Sequence, residues 1–132
     1  MHKKTKGTLA ELKVASHLIA DGWRVLFPLG ENNRYDLVAE KDGCFVRIQV
    51  KYVTPKNNGL DINCSSSNNW SILQYKPEEI DYLAIHDPVN DSIYFIPVAE
   101  INKYKFKLRL AKSKNKQERG IHYAEHYTSL VI

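Results

Sequence analysis

Apolar residues recur at helical spacing in one long stretch of the chain. Over residues 8–21, Leu9, Leu12, Ala15 and Ile19 fall three or four apart, which predicts an amphipathic helix with that stripe inward. Gly22 follows where a helix takes its left-handed closing residue. Residues 23–27 are a short apolar strand that Pro28 ends, and a polar loop runs over 30–34. The period then changes to two. Residues 35–41 and 44–54 alternate like strands, with Asp42-Gly43 between them, a strong signal for a two-residue hairpin turn.

That turn sets a register. Lys41 stands opposite Cys44, Val38 opposite Arg47, and Asp36 opposite Gln49. Strand side chains alternate between faces, so Asp36, Gln49 and Lys51 share one side. Leu37, Ala39, Val46, Ile48, Val50 and Tyr52 occupy the other, which is expected to pack on the first helix.

The pattern weakens over 55–70, rich in Asn and Ser, which reads as a long polar loop with a short strand near 60–63. A loop of this length in a compact domain is usually functional or disordered. One helical turn is expected at 77–80 and a second hairpin from 81–86 and 92–96 around 88–91. Residues 98–101 suggest a further helical turn. Residues 103–110 alternate Lys103, Lys105, Lys107 and Arg109 with apolar side chains, a strand with one basic face. Residues 111–120 form a basic loop, and 123–130 a terminal helix or a short irregular segment.

The 132 residues suit one domain spanning 1–132. With 43% hydrophobic and 26% charged residues, the chain is globular rather than disordered. No apolar run approaches a membrane span, and the polar start argues against a signal sequence, so a cytoplasmic protein without membrane partners is expected. Cys44 and Cys64 form no metal or disulfide pattern. Charge is uneven: segment 103–119 carries a net +7 and the remainder −3. Such a concentration suggests a polyanionic partner; the plainer reading is a solvated surface.

A carboxylate, an amide oxygen and a lysine on one sheet face suit cation-assisted phosphodiester hydrolysis. Mg²⁺ takes oxygen ligands, which Asp36 and Gln49 could supply, while Lys51 would stabilise developing charge or position water. Glu11 has two readings. In Thr8-Leu9-Ala10-Glu11 it can close a capping box on the Thr8 amide, or it can face the cleft. Lys51 paired with Asp36 as ordinary surface charges is the plain alternative for the whole cluster. Arg47 shares the face of Gln49, and Arg34 would stand opposite Lys51 if pairing extends, so both are phosphate candidates. Lys103, Lys105, Lys107 and Arg109 suit phosphate contact. Asn57, Asn58, Asn63, Ser65, Ser66 and Asn68 offer groups that can pair with base edges.

The segments Gly7-Thr8-Leu9-Ala10-Glu11, Arg34-Tyr35-Asp36-Leu37-Val38 and Ile48-Gln49-Val50-Lys51 resemble the PD-(D/E)xK nuclease superfamily. Within it, the resemblance is nearest to the cyanobacterial group I intron-encoded homing endonuclease type and extends to archaeal-type Holliday junction resolvases. It implies an α/β restriction-endonuclease-like fold, a mixed central sheet flanked by helices with an αβββαβ core. It implies Mg²⁺-dependent cleavage of double-stranded DNA, leaving 5′-phosphate and 3′-hydroxyl ends. Asp36, Gln49 and Lys51 take the motif positions, Glu11 that of a helix glutamate, and Val50 joins the metal set. Gln49 departs from the motif, standing where a carboxylate is usual. Three functions follow from these residues: a site-specific homing endonuclease, a structure-specific Holliday junction resolvase, or a catalytically dead nucleic-acid-binding protein. One site cuts one strand, so a duplex cut calls for a homo-oligomer, a dimer at least. With a radius of gyration of roughly 14 Å, a protomer spans about one DNA turn near 34 Å. A longer target calls for a dimer of dimers.

Overall fold

The computed structural model describes residues 1–30, 33–67, 72–74, 76–102, 104–111 and 120–131, the side chains of 66–67 and 72–74 excepted. Helix α1 is Lys3–Ala20. Strands follow as β1 Arg24–Leu26, β2 Leu37–Lys41, β3 Cys44–Tyr52, β4 Gly59–Asn63 and β5 Ser65–Ser67. The remainder are β6 Ile72–Gln74, β7 Tyr82–Asp87, β8 Ser92–Pro97, β9 Lys105–Arg109 and β10 His122–Tyr123. Short 3₁₀ turns occupy Val98–Glu100 and Ala124–His126.

The central sheet is mixed, in the order β1-β2-β3-β7-β8, with β3 and β7 parallel and the other pairs antiparallel. The β2–β3 register is the one the Asp42-Gly43 turn dictates, Lys41 opposite Cys44 and Val38 opposite Arg47. Both turn residues have positive φ (53° and 82°), as a tight hairpin that follows strand twist requires. A parallel β3–β7 pair needs a crossover between its strands, and the crossover is the segment that holds β4 to β6.

Two apolar cores lie on opposite faces of this sheet. On one, Ala10, Val14 and Leu18 of α1 pack with Leu37, Ala39, Ile48, Val50, Ala84 and Phe95. On the other, Leu83, Ile85, Tyr94 and Ile96 meet Leu60, Ile62, Phe106 and Leu108 from a second sheet, ordered β10-β9-β4. Strands β7 and β8 are covered on both faces, so residues 83–85 and 93–96 read as unbroken apolar runs. The fold is α/β, with a mixed central sheet flanked by α1.

Three local expectations change. The inward stripe of α1 is Ala10, Val14, Ala15 and Leu18, while Leu12 and Ile19 are 58% and 60% exposed. The helix carries two neighbouring apolar arcs, and the one with smaller side chains lies against the sheet. The described part of the stretch 55–70, residues 55–67, is largely strand and turn rather than loop. Asn57 and Asn58, both with positive φ, turn the chain between bridged Lys56 and Gly59, and β4 then buries Leu60 and Ile62. This is the short strand expected near 60–63, with one face of β4 on the core and the other open. Finally, 123–130 holds β10 and a 3₁₀ turn, not a long helix.

Candidate active site

The β2–β3 ladder changes at its open end. Asp36 stands one residue before β2, and its amide donates to the Ile48 carbonyl at 2.8 Å. Its carboxylate Oδ2 accepts the Val50 amide at 2.8 Å. The side chain is thereby held against β3, which carries Gln49 and Lys51.

Glu11 reaches this point from α1, next to the buried Ala10. Its carboxyl lies within hydrogen-bonding reach of Asp36. The capping-box reading of Glu11 is overturned. The helix starts at Lys3, with His2 Nδ1 accepting the Lys4 amide at 3.1 Å. Thr8 lies inside the helix, its hydroxyl donating to the Lys4 carbonyl at 3.0 Å.

The electrostatics are those of a partly buried charge cluster. Burial raises the Glu11 pKa, and the Asp36 charge raises it further. Burial also raises Asp36, against the pull of the Val50 amide, Glu11 and Lys51. Burial lowers Lys51, while Cys64 and Asp36 act the other way. Burial pushes the Cys64 thiol up to about 11, so Cys64 stands beside the lysine as a neutral wall. Two carboxyl groups and one ammonium thus share a partly buried cluster in which Asp36 and Lys51 favour each other's charge while the Asp36 charge disfavours that of Glu11.

The remaining sequence candidates separate. Arg47 does not present an open guanidinium. It binds both Asp81 carboxylate oxygens at 3.1 Å and the carbonyls of Pro77 and Glu78. Arg34 is paired with Glu79, and the ladder stops at Leu37, so Arg34 does not extend the hairpin opposite Lys51. Asn63 Oδ1 accepts the Ser65 amide and hydroxyl, at 3.1 and 2.7 Å, and Ser65 is buried. Asn57 and Asn58 remain exposed at their turn. Lys105 and Lys107 project from the open face of β9 opposite Asn63 and Asp61, with Lys107 Nζ 4.0 Å from Asp61. Arg109, at the end of β9, is half-buried. A groove of about 920 Å³ runs along this face between Lys56, Asn63, Tyr104, Lys105 and Lys107. Asn68, Lys103 and most of the basic loop lie outside the described residues, as does the side chain of Ser66.

A family model for PD-(D/E)XK endonucleases matches residues 1–130. The chain belongs to that family. Among solved structures, this PD-(D/E)XK chain is similar to the bacterial homing endonuclease I-Ssp6803I. The two are 22% identical, the match covers 96% of this chain and 88% of the other, and the TM-score is 0.77. It is also similar to Hjc, a Holliday junction resolvase from the archaeal hyperthermophile Archaeoglobus fulgidus. That identity is 20%, over 79% of this chain and 84% of the other, with a TM-score of 0.49. No curated protein matches the chain.

The likeness to I-Ssp6803I shows a shared fold. Among the described residues no three His, Cys, Asp or Glu side chains cluster. The reason is local: Glu11 and Asp36 meet, and the strand position that could add a third acid holds Gln49. Sequence reasoning missed Cys64, whose nearness to Lys51 depends on the crossover segment. It also missed Glu79 and Asp81, which engage Arg34 and Arg47 across more than thirty residues. No local spacing signals such pairs. Among the described residues no helix is long and apolar enough to cross a membrane.

Proposed function

We propose that the chain is a site-specific double-strand DNA endonuclease of the homing type. The observation that carries this reading is the meeting of Glu11, Asp36 and Lys51 at the end of the β2–β3 hairpin. The basic outer face of β9 supplies a phosphate-binding surface on the same chain.

The donor set fits a hard divalent cation such as Mg²⁺. Two adjacent, partly buried carboxyl groups with raised proton affinity call for a proton or a cation between them. Asp36, Glu11, the Gln49 amide oxygen and the Val50 backbone carbonyl would hold it. When bound, such an ion supplies Lewis acidity at the scissile phosphate and at the attacking water. Asp36, fixed by the Val50 amide, orients the site toward the phosphate. Lys51 donates hydrogen bonds to the water or the phosphoryl oxygens and balances negative charge as it develops. Water oxygen bonds to phosphorus as the bond to the 3′ oxygen breaks. The water proton ends on that oxygen, leaving a 5′-phosphate and a 3′-hydroxyl. One site cuts one strand, so a homo-oligomer, a dimer or a dimer of dimers, makes the duplex break.

Incubation with a randomised duplex library and with a four-way junction, in Mg²⁺ and in EDTA, tests this. Discrete duplex cuts that require Mg²⁺ and Asp36 are expected. Cutting of the junction alone would transfer the chain to the resolvase reading. Salt-sensitive retention of DNA without any cutting would make Gln49 the mark of a lost active site.

A further inference from the structure

We propose that Asn63 is a specificity-determining residue that donates to the edge of a guanine in the DNA major groove. The proposal deepens the nuclease reading, from which it takes DNA as the partner. Asn63 ends β4 on its open face, exposed, opposite Lys105, and lines the groove of about 920 Å³. Its amide is fixed in one sense. Oδ1 accepts the Ser65 backbone amide at 3.1 Å and the Ser65 hydroxyl at 2.7 Å. A backbone N–H only donates, so the atom it meets is the oxygen and Nδ2 points the other way. Among the described residues Nδ2 meets no acceptor. Ser65 is buried, so an incoming base edge does not displace it. Asparagine ordinarily takes adenine with both ends of its amide, at N6 and N7. That mode is closed here, because the oxygen is occupied. Guanine presents two adjacent acceptors, N7 and O6, which is the edge that a donor-only group fits.

Shape and charge select the occupant. Strand β10 pairs only with Leu108 and Arg109, so at the Asn63–Lys105 end the second sheet narrows to β4 and β9. A two-stranded β-ribbon is what the major groove admits. Lys56, Lys105 and Lys107 line the protein groove against the acid Asp61, which Lys107 Nζ approaches to 4.0 Å. The stem of Lys107 lies over Gly59, where a Cβ would come within 2.7 Å of its Cε. Gly59 and Asn63 are at opposite ends of β4, so this lysine leans away from Asn63 and leaves its amide accessible. Lysines beside an oriented amide match the division of labour on DNA, in which phosphate contacts position and base contacts specify. Cys64, the next residue, stands beside Lys51. The base that Asn63 reads therefore lies close to the phosphate that the candidate site would cut.

Selection of a randomised duplex library on the full chain in EDTA, with sequencing of the retained fraction, tests this without any cutting. Wild type is expected to enrich guanine at one position of its site, roughly tenfold. Asn63→Asp keeps the oxygen that Ser65 needs and turns the group facing the groove from donor to acceptor. It is expected to replace that guanine with cytosine or adenine, whose amino groups donate. Lys105→Ala is expected to weaken binding with the guanine retained. A wild type that retains no DNA, or enriches no guanine, overturns the proposal. So does an Asn63→Asp chain that keeps the guanine or loses affinity equally for every sequence. Asn63→Ala decides the case in which the added charge abolishes binding: equal use of all bases at that position supports the proposal, and retained guanine overturns it. Cleavage in Mg²⁺ is read separately. A chain that selects guanine through Asn63 but never cuts keeps this inference and loses the nuclease reading. A chain that cuts at sequences Asn63→Asp leaves unchanged keeps the nuclease reading and loses this inference.

Discussion

Asp36 Oδ2 accepts the Val50 amide at 2.8 Å, so the acid at the centre of the site also braces the strand that carries Gln49 and Lys51. The two roles separate by substitution. Asp36→Asn retains an oxygen acceptor but loses the charge; Asp36→Ala loses both. Cleavage is expected to fall at least about 100-fold in each. Stability is expected to drop by about 1–3 kcal/mol only in the alanine variant, which leaves the Val50 amide without its acceptor. Urea unfolding beside a nicking assay checks both halves, and equal stability of the two variants would remove the bracing role.

Gln49 sets the charge of the site. Gln49→Glu adds a third acid where Glu11 and Asp36 already meet, and hard cations bind more tightly as carboxylates are added. Calorimetric titration with Mg²⁺ is expected to show affinity rising by about tenfold. An unchanged affinity would take position 49 out of the cation site.

Arg47 holds the turn before β7 to the central sheet through Asp81 and two backbone carbonyls. The pair is about one-third exposed, so its Coulomb share is modest and the loss is mainly of hydrogen bonds. Arg47→Ala is expected to cost about 1–3 kcal/mol in chemical denaturation. Its effect on DNA affinity is expected to be smaller than that of a β9 lysine. The reverse order would make Arg47 a phosphate contact.

His86 is 1% exposed, packed edge-on against Tyr52, and neither ring nitrogen has a hydrogen-bond partner among the described residues. Burial and nearby Lys13 hold it below the usual histidine range, while Asp91 and Asp87 oppose them. The unfolded chain therefore binds this proton more readily than the folded one. The stabilisation is complete above the unfolded pKa of about 6.5 and declines as pH falls, by up to about 1.4 kcal/mol per unit. His86→Phe is expected to flatten the pH dependence between about pH 7.5 and about pH 5.5. A slope unchanged by the substitution would assign it to another group.

Lys105 and Lys107 face outward from β9, where phosphate contact would release counterions. Replacing both with alanine is expected to weaken binding across sequences and to reduce the salt slope by about two. An unchanged slope would remove β9 from the nucleic-acid surface.

Local pattern carried the hairpin. Asp42-Gly43 admits positive φ at two successive residues, and period-two alternation then decides which side chains share a face. The second hairpin was legible for the same reason, its turn closed by Asp87 accepting the Val89 and Asn90 amides. The inward arc of α1 was not, because two adjacent apolar arcs satisfy helical spacing equally and only docking on Leu37, Ile48 and Val50 chooses between them. The short strand expected near 60–63 is β4, but the burial of Leu60 and Ile62 was not legible, because it depends on β9 arriving more than forty residues later.

The candidate site divides along the same line. The amino-acid sequence by itself determined that Gln49 and Lys51 lie on one side of β3 and that Asp36 lies at the far end of the hairpin from its turn, because turn geometry and alternation act over a few residues. Tertiary structure alone decided that Glu11 faces Asp36 instead of capping its helix, that Cys64 walls Lys51, and that acids at 79 and 81 engage Arg34 and Arg47. Those contacts join residues far apart in the chain, and they exist only once burial of the two cores has brought α1 and the crossover segment against the sheet.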